Sequence, residues 1–432
     1  MAKGRKTRKK KSKLLLVFLW GIIALLFTGI AGVVYLSFFQ TQSEILRTEK
    51  IPEKAVSRSK TDTNFIKAVA RDSTDDFMIY SNYEDFTNFD STAGDLLRPR
   101  YTGRRINIAV VGLDSRVGTN SNHADANHII SILLDSGKIE IVSVPRDTPA
   151  DAGYDDSTGQ NKLTVVRAAR GRNFYLNELA RIAQLDTIHY YVEVGFSQVI
   201  GFLEFFGYRD PKSTLQVLRS RKGLGGDDYQ RCYNQAQFIR QMILKNYRRV
   251  GEGFAGNLLI RGALALLTTN LTFDAVSKVI SKLNTFGFPR SDKDITIKIR
   301  PPIPIKFKVY DFTKQEVVDK LIEKIENFNQ THNEKDSVKV DVYRLLDNQL
   351  TLAEKDTLKY PKRVVSRLSV FYNQKAWLQI ENPEQREAIR SRFENCLVAA
   401  YNKLNQKVNA KKVREEMYLE REMFKFGINQ RK

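Results

Sequence analysis

The residues best suited to chemistry in this sequence follow two runs that read as buried strands. Asp114 comes directly after the apolar run INIAVVGL, and Arg146 and Asp147 come directly after IEIVSVP. In open α/β sheets, ligands bind in the crevice outside the carboxyl ends of the strands. The sequence therefore places charged side chains where such a fold would bind a ligand.

A second carboxylate could join Asp114. Asp125 lies eleven residues later, just before the next strand-like run, so a loop could return it to the same edge. Two carboxylates there could hold one Mg²⁺, which takes oxygen ligands and keeps waters and substrate phosphates around it. On position alone, the commoner alternative is that both aspartates only cap turns.

Another group of polar residues lies in the segment 215–241, LQVLRSRKGLGGDDYQRCYNQAQFIRQ. Arg219 and Arg221 are two positions apart on a predicted strand, so both should point to the same face. Glycines then end the strand, and Asp227 or Asp228 can N-cap a helix. At about 100° per residue, one face of that helix presents three polar groups. They are Asp228, Arg231 and Gln235.

This second group suits a diphosphate. Guanidinium forks bind phosphate oxygens in pairs, and the positive end of a helix dipole favours an anion. The alternative is an ordinary basic surface helix, with an Asp228–Arg231 pair contributing a few tenths of a kcal/mol. The segment by itself leaves both interpretations open.

Other routes to catalysis find little support in the sequence. The four histidines have no zinc-site spacing, and no G-x-S-x-G, Walker or dinucleotide-binding motif is present. The two cysteines are too few for a disulfide framework. Cys232 is read as a small buried residue rather than a nucleophile.

The elements that would position these residues alternate between strands and helices. β-branched apolar runs predict strands, and Asp135 to Lys138 predicts a tight hairpin between two of them. The predicted strands are 106–113, 128–135, 139–145 and 187–194, with helices around Leu176–Ile182 and at 196–208. This alternation predicts an α/β fold with a mixed central sheet flanked by helices.

The character of the chain changes after about residue 275. DITIKIRP and SVKVDVYRLL are strand-like pieces around a charged helix, and a long mixed-charge helical segment follows at about 383–425. We therefore predict a catalytic domain at 105–275 and a smaller α+β or helical region at 276–432. That region could be a supporting domain or a surface for a partner.

The N-terminus predicts a membrane anchor. Residues 14–39 contain no charged side chain and, as a helix, would extend roughly 39 Å, more than a bilayer core of ~30 Å. A cleaved signal peptide is the alternative, but the apolar run is too long for one. Residues 1–13 carry eight Lys or Arg and no acid, which predicts a cytoplasmic tail. The rest, beginning with a stalk at 40–104, would be extracytoplasmic.

The net charge of +21 includes +8 from the tail, which leaves +13. The tail is explained by topology and by anionic lipid headgroups. An excess of positive charge outside the membrane favours lipids or wall polymers that bear phosphate, and nucleic acid is not expected as a partner.

Together these features resemble the LytR-CpsA-Psr family of cell-wall phosphotransferases, over about residues 105–275. The resembling motifs occur in family order. They are Gly112-x-Asp114-x-Arg116, Asp125 before a strand, Ser-Val-Pro-Arg-Asp-Thr (143–148), Lys-Leu-Thr (162–164), YYVEVGF (190–196), and Arg219-x-Arg221 followed by Asp228-x-x-Arg231-x-x-x-Gln235.

The resemblance implies transfer of a glycopolymer from a polyprenyl-diphosphate carrier to peptidoglycan, forming a phosphodiester. It implies that Asp114 and Asp125 hold Mg²⁺ or Mn²⁺. Asp228 would orient Arg231 or accept the hydroxyl proton. The implied charge-neutralising residues are Arg146, Arg219, Arg221 and Arg231, and the implied substrate-binding residues are Arg116, Asp147, Lys162 and Gln235.

Two positions depart from the family pattern. His123 and Asn234 stand where arginines are usual, which would weaken a diphosphate clamp unless Arg167, Arg170 or Arg172 substitutes. Three alternatives follow. The protein could bind or hydrolyse the lipid diphosphate without transfer, it could be a scaffolding protein of the envelope, or, least favoured, it could be a DNA-binding regulator.

Overall fold

The computed structural model describes residues 89–95, 101–119, 122–250, 253–332 and 340–429. The predicted tail (1–13), the anchor (14–39) and most of the stalk (40–104) lie outside these residues. Within the described part of the chain, none of the helices combines the length and apolarity needed to cross a bilayer.

Strands and helices alternate through the first two thirds of the described chain. The strands are β1 (Phe89–Asp90), β2 (Arg105–Leu113), β3 (Ala124–Leu133), β4 (Lys138–Ser143), β5 (Tyr190–Val194), β6 (Thr268–Thr269), β7 (Ile295–Ile299) and β8 (Phe307–Lys308). The helices are α1 (Leu163–Ala169), α2 (Gly171–Ile182), α3 (Phe196–Phe206), α4 (Pro211–Arg219), α5 (Asp228–Val250), α6 (Gly253–Leu266), α7 (Phe273–Asn284), α8 (Gln315–Thr331), α9 (Val342–Asp356), α10 (Pro361–Asn373), α11 (Pro383–Lys403) and α12 (Lys407–Asn429).

The central sheet has the strand order β6-β5-β2-β3-β4-β7. β3 is antiparallel to β2 and β4, whereas β5 and β7 run parallel to β2 and β4 respectively. The carboxyl ends of β2, β4, β5 and β7 therefore meet at one edge, where β3 begins. The predicted hairpin between β3 and β4 is confirmed. β7 comes from beyond residue 275, so the sheet itself extends across the predicted domain boundary.

Helices cover both faces of this sheet. On one face α1 and α2 pack over Ala109, Ile129 and Val142, and the fully buried Tyr175 lies among them. On the other face α5 packs over Ile141 and its neighbours, through side chains that include the buried Tyr233. A mixed α/β core with a central sheet flanked by helices is thus confirmed.

The last ninety described residues are helical, with α9 to α12 packed around the buried Trp377 and Phe393. The predicted strand in SVKVDVYRLL is wrong from Asp341 onward. Asp341 N-caps α9 by accepting from the Arg344 backbone N–H at 3.0 Å, and Leu346 and Leu350 then repeat at helical spacing into the core. The predicted helical segment at about 383–425 is confirmed and consists of two helices, α11 and α12, separated by a short break.

Candidate functional site

The sheet brings the charged residues after β2 and β4 to its carboxyl edge, as predicted. Asp114 follows β2, and a register shift between β2 and β3 at Gly112/Leu113 lies directly before it. Such irregularities re-aim side chains next to ligand sites. Asp125 is the second residue of β3, and its Oδ1 accepts a hydrogen bond from Arg146 Nη1 at 2.8 Å.

The predicted strand carrying Arg219 and Arg221 is wrong. Asp210 accepts from the Ser213 backbone N–H at 2.9 Å and Pro211 begins the helix, so α4 runs to Arg219. Arg221 follows in an irregular turn. The two guanidiniums still reach the same edge: Arg219 Nη2 lies 3.9 Å from Asp114 Oδ1, and Arg221 Nη1 lies 3.3 Å from Asp147 Oδ2.

The beginning of α5 supplies the remaining charges. Asp227 is the cap, because its Oδ1 accepts from the backbone N–H groups of Tyr229 and Gln230 at 2.9 and 3.0 Å. This leaves Asp228 to form an ion pair with the buried Arg231. Arg221 Nε lies 4.0 Å from Asp228 Oδ1, so the α4–α5 turn and the α5 terminus share one charge network.

We call this network the rim cluster. It comprises Asp114, Asp125, Arg146, Asp147, Lys162, Arg219, Arg221, Asp228 and Arg231. Five cations stand against four carboxylates, which leaves a formal charge of +1. In a partly dry site such charges interact more strongly than in water, so the cluster is suited to an added anion.

Burial shifts the protonation equilibria in the rim cluster. Burial raises the pKa of Asp228, although the charge of Arg231 opposes the shift. For Arg146, burial lowers the pKa, but the nearby carboxylates, Asp125 first, outweigh it, and the net pKa is raised. Arg146 therefore stays a cation, and in the pKa of Asp228 the charge of Arg231 is the main influence that opposes burial.

Two predicted substrate-binding residues, Gln235 and Arg116, lie outside the rim cluster, and a third, Lys162, lies at its edge. Gln235 donates from Nε2 to the Leu218 carbonyl at 3.0 Å, and its Oε1 lies 3.3 Å from His128 Nε2, so its amide joins α5 to α4 and the sheet. Arg116 is exposed. Lys162 Nζ lies 3.8 Å from Asp147 Oδ1, at the margin of the rim cluster.

The two departures from the family pattern have different environments. His123 is exposed, and its carbonyl accepts from the Asp114 backbone N–H at 2.9 Å. Asn234 is buried and accepts from Gln230 Nε2 at 2.8 Å. Neither supplies the cation that an arginine would.

The three arginines considered as substitutes have carboxylates of their own. Arg167 and Arg172 both donate to the buried Glu193, at 2.6 and 2.7 Å. Arg170 lies 3.5 Å from Asp151 and stacks on a neighbouring phenylalanine ring. These contacts occupy the guanidiniums outside the rim cluster.

Two contacts of the site escaped the sequence analysis. Cζ of Arg219 lies 4.0 Å from the centroid of the Phe196 ring, over its face. Gln374 binds the loop after β2 from the far end of the chain. No local signal in the sequence points to that contact.

The carboxylates of Asp114 and Asp125 fit a magnesium ion whose remaining ligands would be waters and substrate phosphates. Within the described ranges, no three His, Cys, Asp or Glu side chains converge as they would in an all-protein metal site. Mg²⁺, however, is commonly bound by one or two carboxylates together with waters and substrate phosphates. Asp114 and Asp125 provide that number of carboxylates, and Asp125 would share its charge between the ion and Arg146.

His128, a buried histidine next to Gln235, should make the stability of the folded protein depend on pH. Burial lowers the pKa of His128 to about 4; the Gln235 hydrogen bond opposes this shift and the Arg231 charge adds to it. Because the folded protein keeps this imidazole neutral, its stabilising contribution is present above the unfolded pKa of 6.5 and is lost as pH falls towards 4. We expect protonation of His128 to lower the free energy of unfolding by about 3 kcal/mol between pH 7 and pH 4.

Chemical denaturation of the wild type and His128→Gln between pH 7 and pH 4 measures that contribution. The variant should lose less stability than the wild type over this range. His332→Gln, the same change at an exposed histidine, is the control and should follow the wild type. Parallel curves for the wild type and His128→Gln would contradict the assignment.

Comparison with known proteins gives one family and several distant structures. Residues 87–203 match the model of the LytR_cpsA_psr family, and this range includes Asp114, Asp125, Arg146 and Asp147. No curated protein matches the sequence.

Among solved structures, TagV of Bacillus subtilis is 16% identical, with 52% of this chain and 99% of TagV covered and a TM-score of 0.36. Protein gbs0355 of Streptococcus agalactiae is 14% identical, with 55% and 91% covered and a TM-score of 0.36. TagT of Bacillus subtilis is 14% identical, with 54% and 94% covered and a TM-score of 0.31. These likenesses are too distant to carry a function across. The family model confirms the predicted resemblance to the LytR-CpsA-Psr family over residues 87–203.

Proposed function

We propose that this protein is a membrane-anchored transferase of cell-wall assembly. It would move a glycopolymer from a polyprenyl-diphosphate carrier to peptidoglycan through a new phosphodiester bond. The family match supports cell-wall glycopolymer transfer as the general activity. The observation that carries the specific proposal is the rim cluster, in which four guanidiniums converge on the carboxyl edge of the sheet.

In the proposed reaction, a sugar hydroxyl of peptidoglycan attacks the phosphorus that bears the glycopolymer. A new P–O bond forms, the anhydride P–O bond breaks, and polyprenyl monophosphate leaves with the electron pair. The hydroxyl proton passes to a carboxylate or to solvent. Phosphoryl transfer of this kind depends mainly on positioning and charge stabilisation, so it requires no covalent nucleophile from the protein.

The arginines of the rim cluster divide this work between them. Arg219 and Arg221 are partly exposed and can meet the diphosphate as it enters. Arg146 and Arg231 lie deeper, each held by a carboxylate, and would stabilise charge that develops on the leaving phosphate. Asp228 pairs closely with Arg231, which favours an orienting role for this carboxylate over that of a general base.

A divalent cation belongs to the proposal as well. Mg²⁺ or Mn²⁺ bound by Asp114 and Asp125 would supply positive charge against the phosphate oxygens. The chain's own contribution would be to hold two carboxylates beside four arginines. The metal would also raise the positive charge of the site towards that needed by a diphosphate.

The anchor predicted at 14–39 would confine this site to the outer membrane–water boundary, where a diphosphate lipid presents its head group. The proposed location is the cell membrane, with a cytoplasmic N-terminus and an extracytoplasmic C-terminus. A reporter that works only in the cytoplasm can be fused to the C-terminus. Activity of this fusion would contradict the proposed orientation.

Incubation of the purified full-length protein with lipid-linked saccharide, Mg²⁺ and peptidoglycan tests the proposal. We expect saccharide covalently linked to peptidoglycan, and we expect EDTA to abolish the product and Mn²⁺ to restore it. Free saccharide phosphate without linkage would identify a hydrolase instead, as the lost family arginines at positions 123 and 234 would allow. Recovery of intact substrate would reject both transfer and hydrolysis and would leave binding of the lipid diphosphate or scaffolding as the function.

A further inference from the structure

One side chain of the C-terminal helical bundle (α9–α12) holds the loop that follows β2. Gln374 comes directly after α10 and is only 9% exposed. Its Oε1 accepts from the Gly118 backbone N–H at 2.9 Å. Its Nε2 donates to the carbonyl oxygens of Arg116 at 3.1 Å and of Thr119 at 2.8 Å. Three hydrogen bonds from one amide therefore fix the loop backbone.

Packing reinforces these hydrogen bonds. Val117 packs against the hydrophobic core of the bundle. Gly118 has a φ of +78°, and a Cβ there would lie 2.9 Å from Cε1 of Phe371. The loop thus passes so close to α10 that the backbone conformation and the available space both call for glycine.

The turn that presents Gln374 is itself held from a second helix of the bundle. Lys375 has a φ of +49° and is buried, with its Nζ 2.8 Å from Glu416 Oε2. Trp377 donates from Nε1 to Glu420 Oε1 at 2.7 Å. Both glutamates belong to α12, so the turn is fixed on the side away from the loop as well.

The bundle also contacts the element beneath Arg219. Gln198 of α3 donates from Nε2 to the Asn373 carbonyl at 3.0 Å, and Gln379 donates from Nε2 to Ser197 Oγ at 2.9 Å. These residues of α3 follow Phe196, the ring on which Arg219 stacks. The bundle therefore contacts both the loop that follows Asp114 and the helix whose first residue, Phe196, stacks on Arg219.

We infer that the bundle is a positioning element of the transfer site and that Gln374 is its positioning residue. By fixing the backbone at residues 116–119, Gln374 sets where Asp114 lies relative to Arg219, 3.9 Å away. This inference rests on the proposed function and gives the C-terminal region a role in it. Misplacing a reacting group by about 1 Å can lower a rate by about 10²-fold.

Gln374→Ala in the full-length protein is the first test. We expect kcat for transfer to fall by about ten- to a hundredfold while KM for the lipid-linked saccharide changes little, because Asp114 is displaced and the arginines remain. Hydrogen exchange should show faster exchange at Gly118 and unchanged exchange in β2. Gln315→Ala, a change at a glutamine that binds Asp319 away from the site, is the matched control and should alter neither quantity.

Gly118→Ala examines the same contact from the loop side and remains informative if Gln374→Ala folds poorly. It should reproduce both effects. Unchanged exchange at Gly118 in the Gln374 variant, or faster exchange with full transfer activity, would overturn the inference. A wild type without transfer activity would instead reject the proposed function, and the exchange measurement would then still decide whether Gln374 holds the loop.

Discussion

Replacing Arg219 or Arg221 by alanine is expected to lower the transfer rate by about 10²–10³-fold, because removal of one preorganised donor from a site of developing charge has an effect of this size. Arg219 faces Asp114 and Arg221 faces Asp147, so each variant removes a cation from a different side of the rim cluster. The rate of saccharide linkage to peptidoglycan, measured with saturating lipid-linked donor, gives the effect directly.

Both variants should remain folded. The side chain of Arg219 is 43% exposed, and its stacking on Phe196 contributes only about 0.5–1 kcal/mol. Arg221 also lies in a partly exposed pair, and such pairs contribute little. Thermal unfolding should therefore change by only a few degrees, which separates lost chemistry from lost structure.

Arg209→Ala is the matched control for these two variants. Arg209 is highly exposed, pairs with Asp319 at 3.2 Å and lies just before α4, at the opposite end of that helix from Arg219. The Arg209→Ala variant loses the same charge and the same side-chain volume as the other two variants, at a residue that does not contact the rim cluster. Full transfer by the Arg219 or Arg221 variant, or an equal loss in the control, would reject the assignment.

Lysine at the same positions refines the argument. Arg219→Lys and Arg221→Lys keep the charge but lose the planar fork that binds two phosphate oxygens at once. An activity between that of the wild type and that of the alanine variants would show that geometry adds to charge. Equal activity of lysine and arginine would show that charge alone is used.

The sheet was predictable because its strands are continuous apolar runs. A strand buried on both faces needs little more than such a run, and β2, β3 and β4 each have one. The parallel pairing of β7 with β4 was not predictable from local sequence, since more than a hundred residues separate them. A boundary drawn from a change in composition at 275 therefore divides a chain whose sheet continues past it.

The segment before Arg221 shows how a local pattern misleads. The local sequence around Arg219 and Arg221 predicts a strand, on which two arginines separated by one residue would share a face. The stronger signal lay upstream, where Asp210 and Pro211 form a helix start and Thr214, Val217 and Leu218 repeat at helical spacing. The arginines reach the rim cluster because α4 ends there.

The contacts of Gln374 could not be predicted from local sequence patterns. Its partners are more than two hundred and fifty residues away in sequence, and a glutamine after a helix has no distinctive signature. By contrast, the pairing of Asp228 with Arg231 follows from their spacing of three on one helix and is confirmed. The catalytic roles of both residues and the metal stay predictions.

The last prediction concerns Asp114, whose replacement by asparagine should lower transfer by about 10³-fold if it serves both as a metal ligand and as a partner of Arg219. Asparagine has nearly the same shape, so the fold should be retained. The charge near Arg219 and one metal ligand are lost together. Transfer rates across a range of Mn²⁺ concentrations, with Mn²⁺ binding followed by electron paramagnetic resonance, measure both losses. Asp274→Asn, at an exposed aspartate paired with Lys278, is the control.

A double-mutant cycle separates the two roles. If Asp114 only orients Arg219, the combination of Asp114→Asn with Arg219→Ala should be no slower than Arg219→Ala alone, because the partner is already missing. If Asp114 also binds the metal, the double variant should be slower than either single variant and should need more Mn²⁺ for half-maximal rate. Unchanged Mn²⁺ binding in Asp114→Asn would remove this residue from the metal site and leave it as the partner of Arg219 alone.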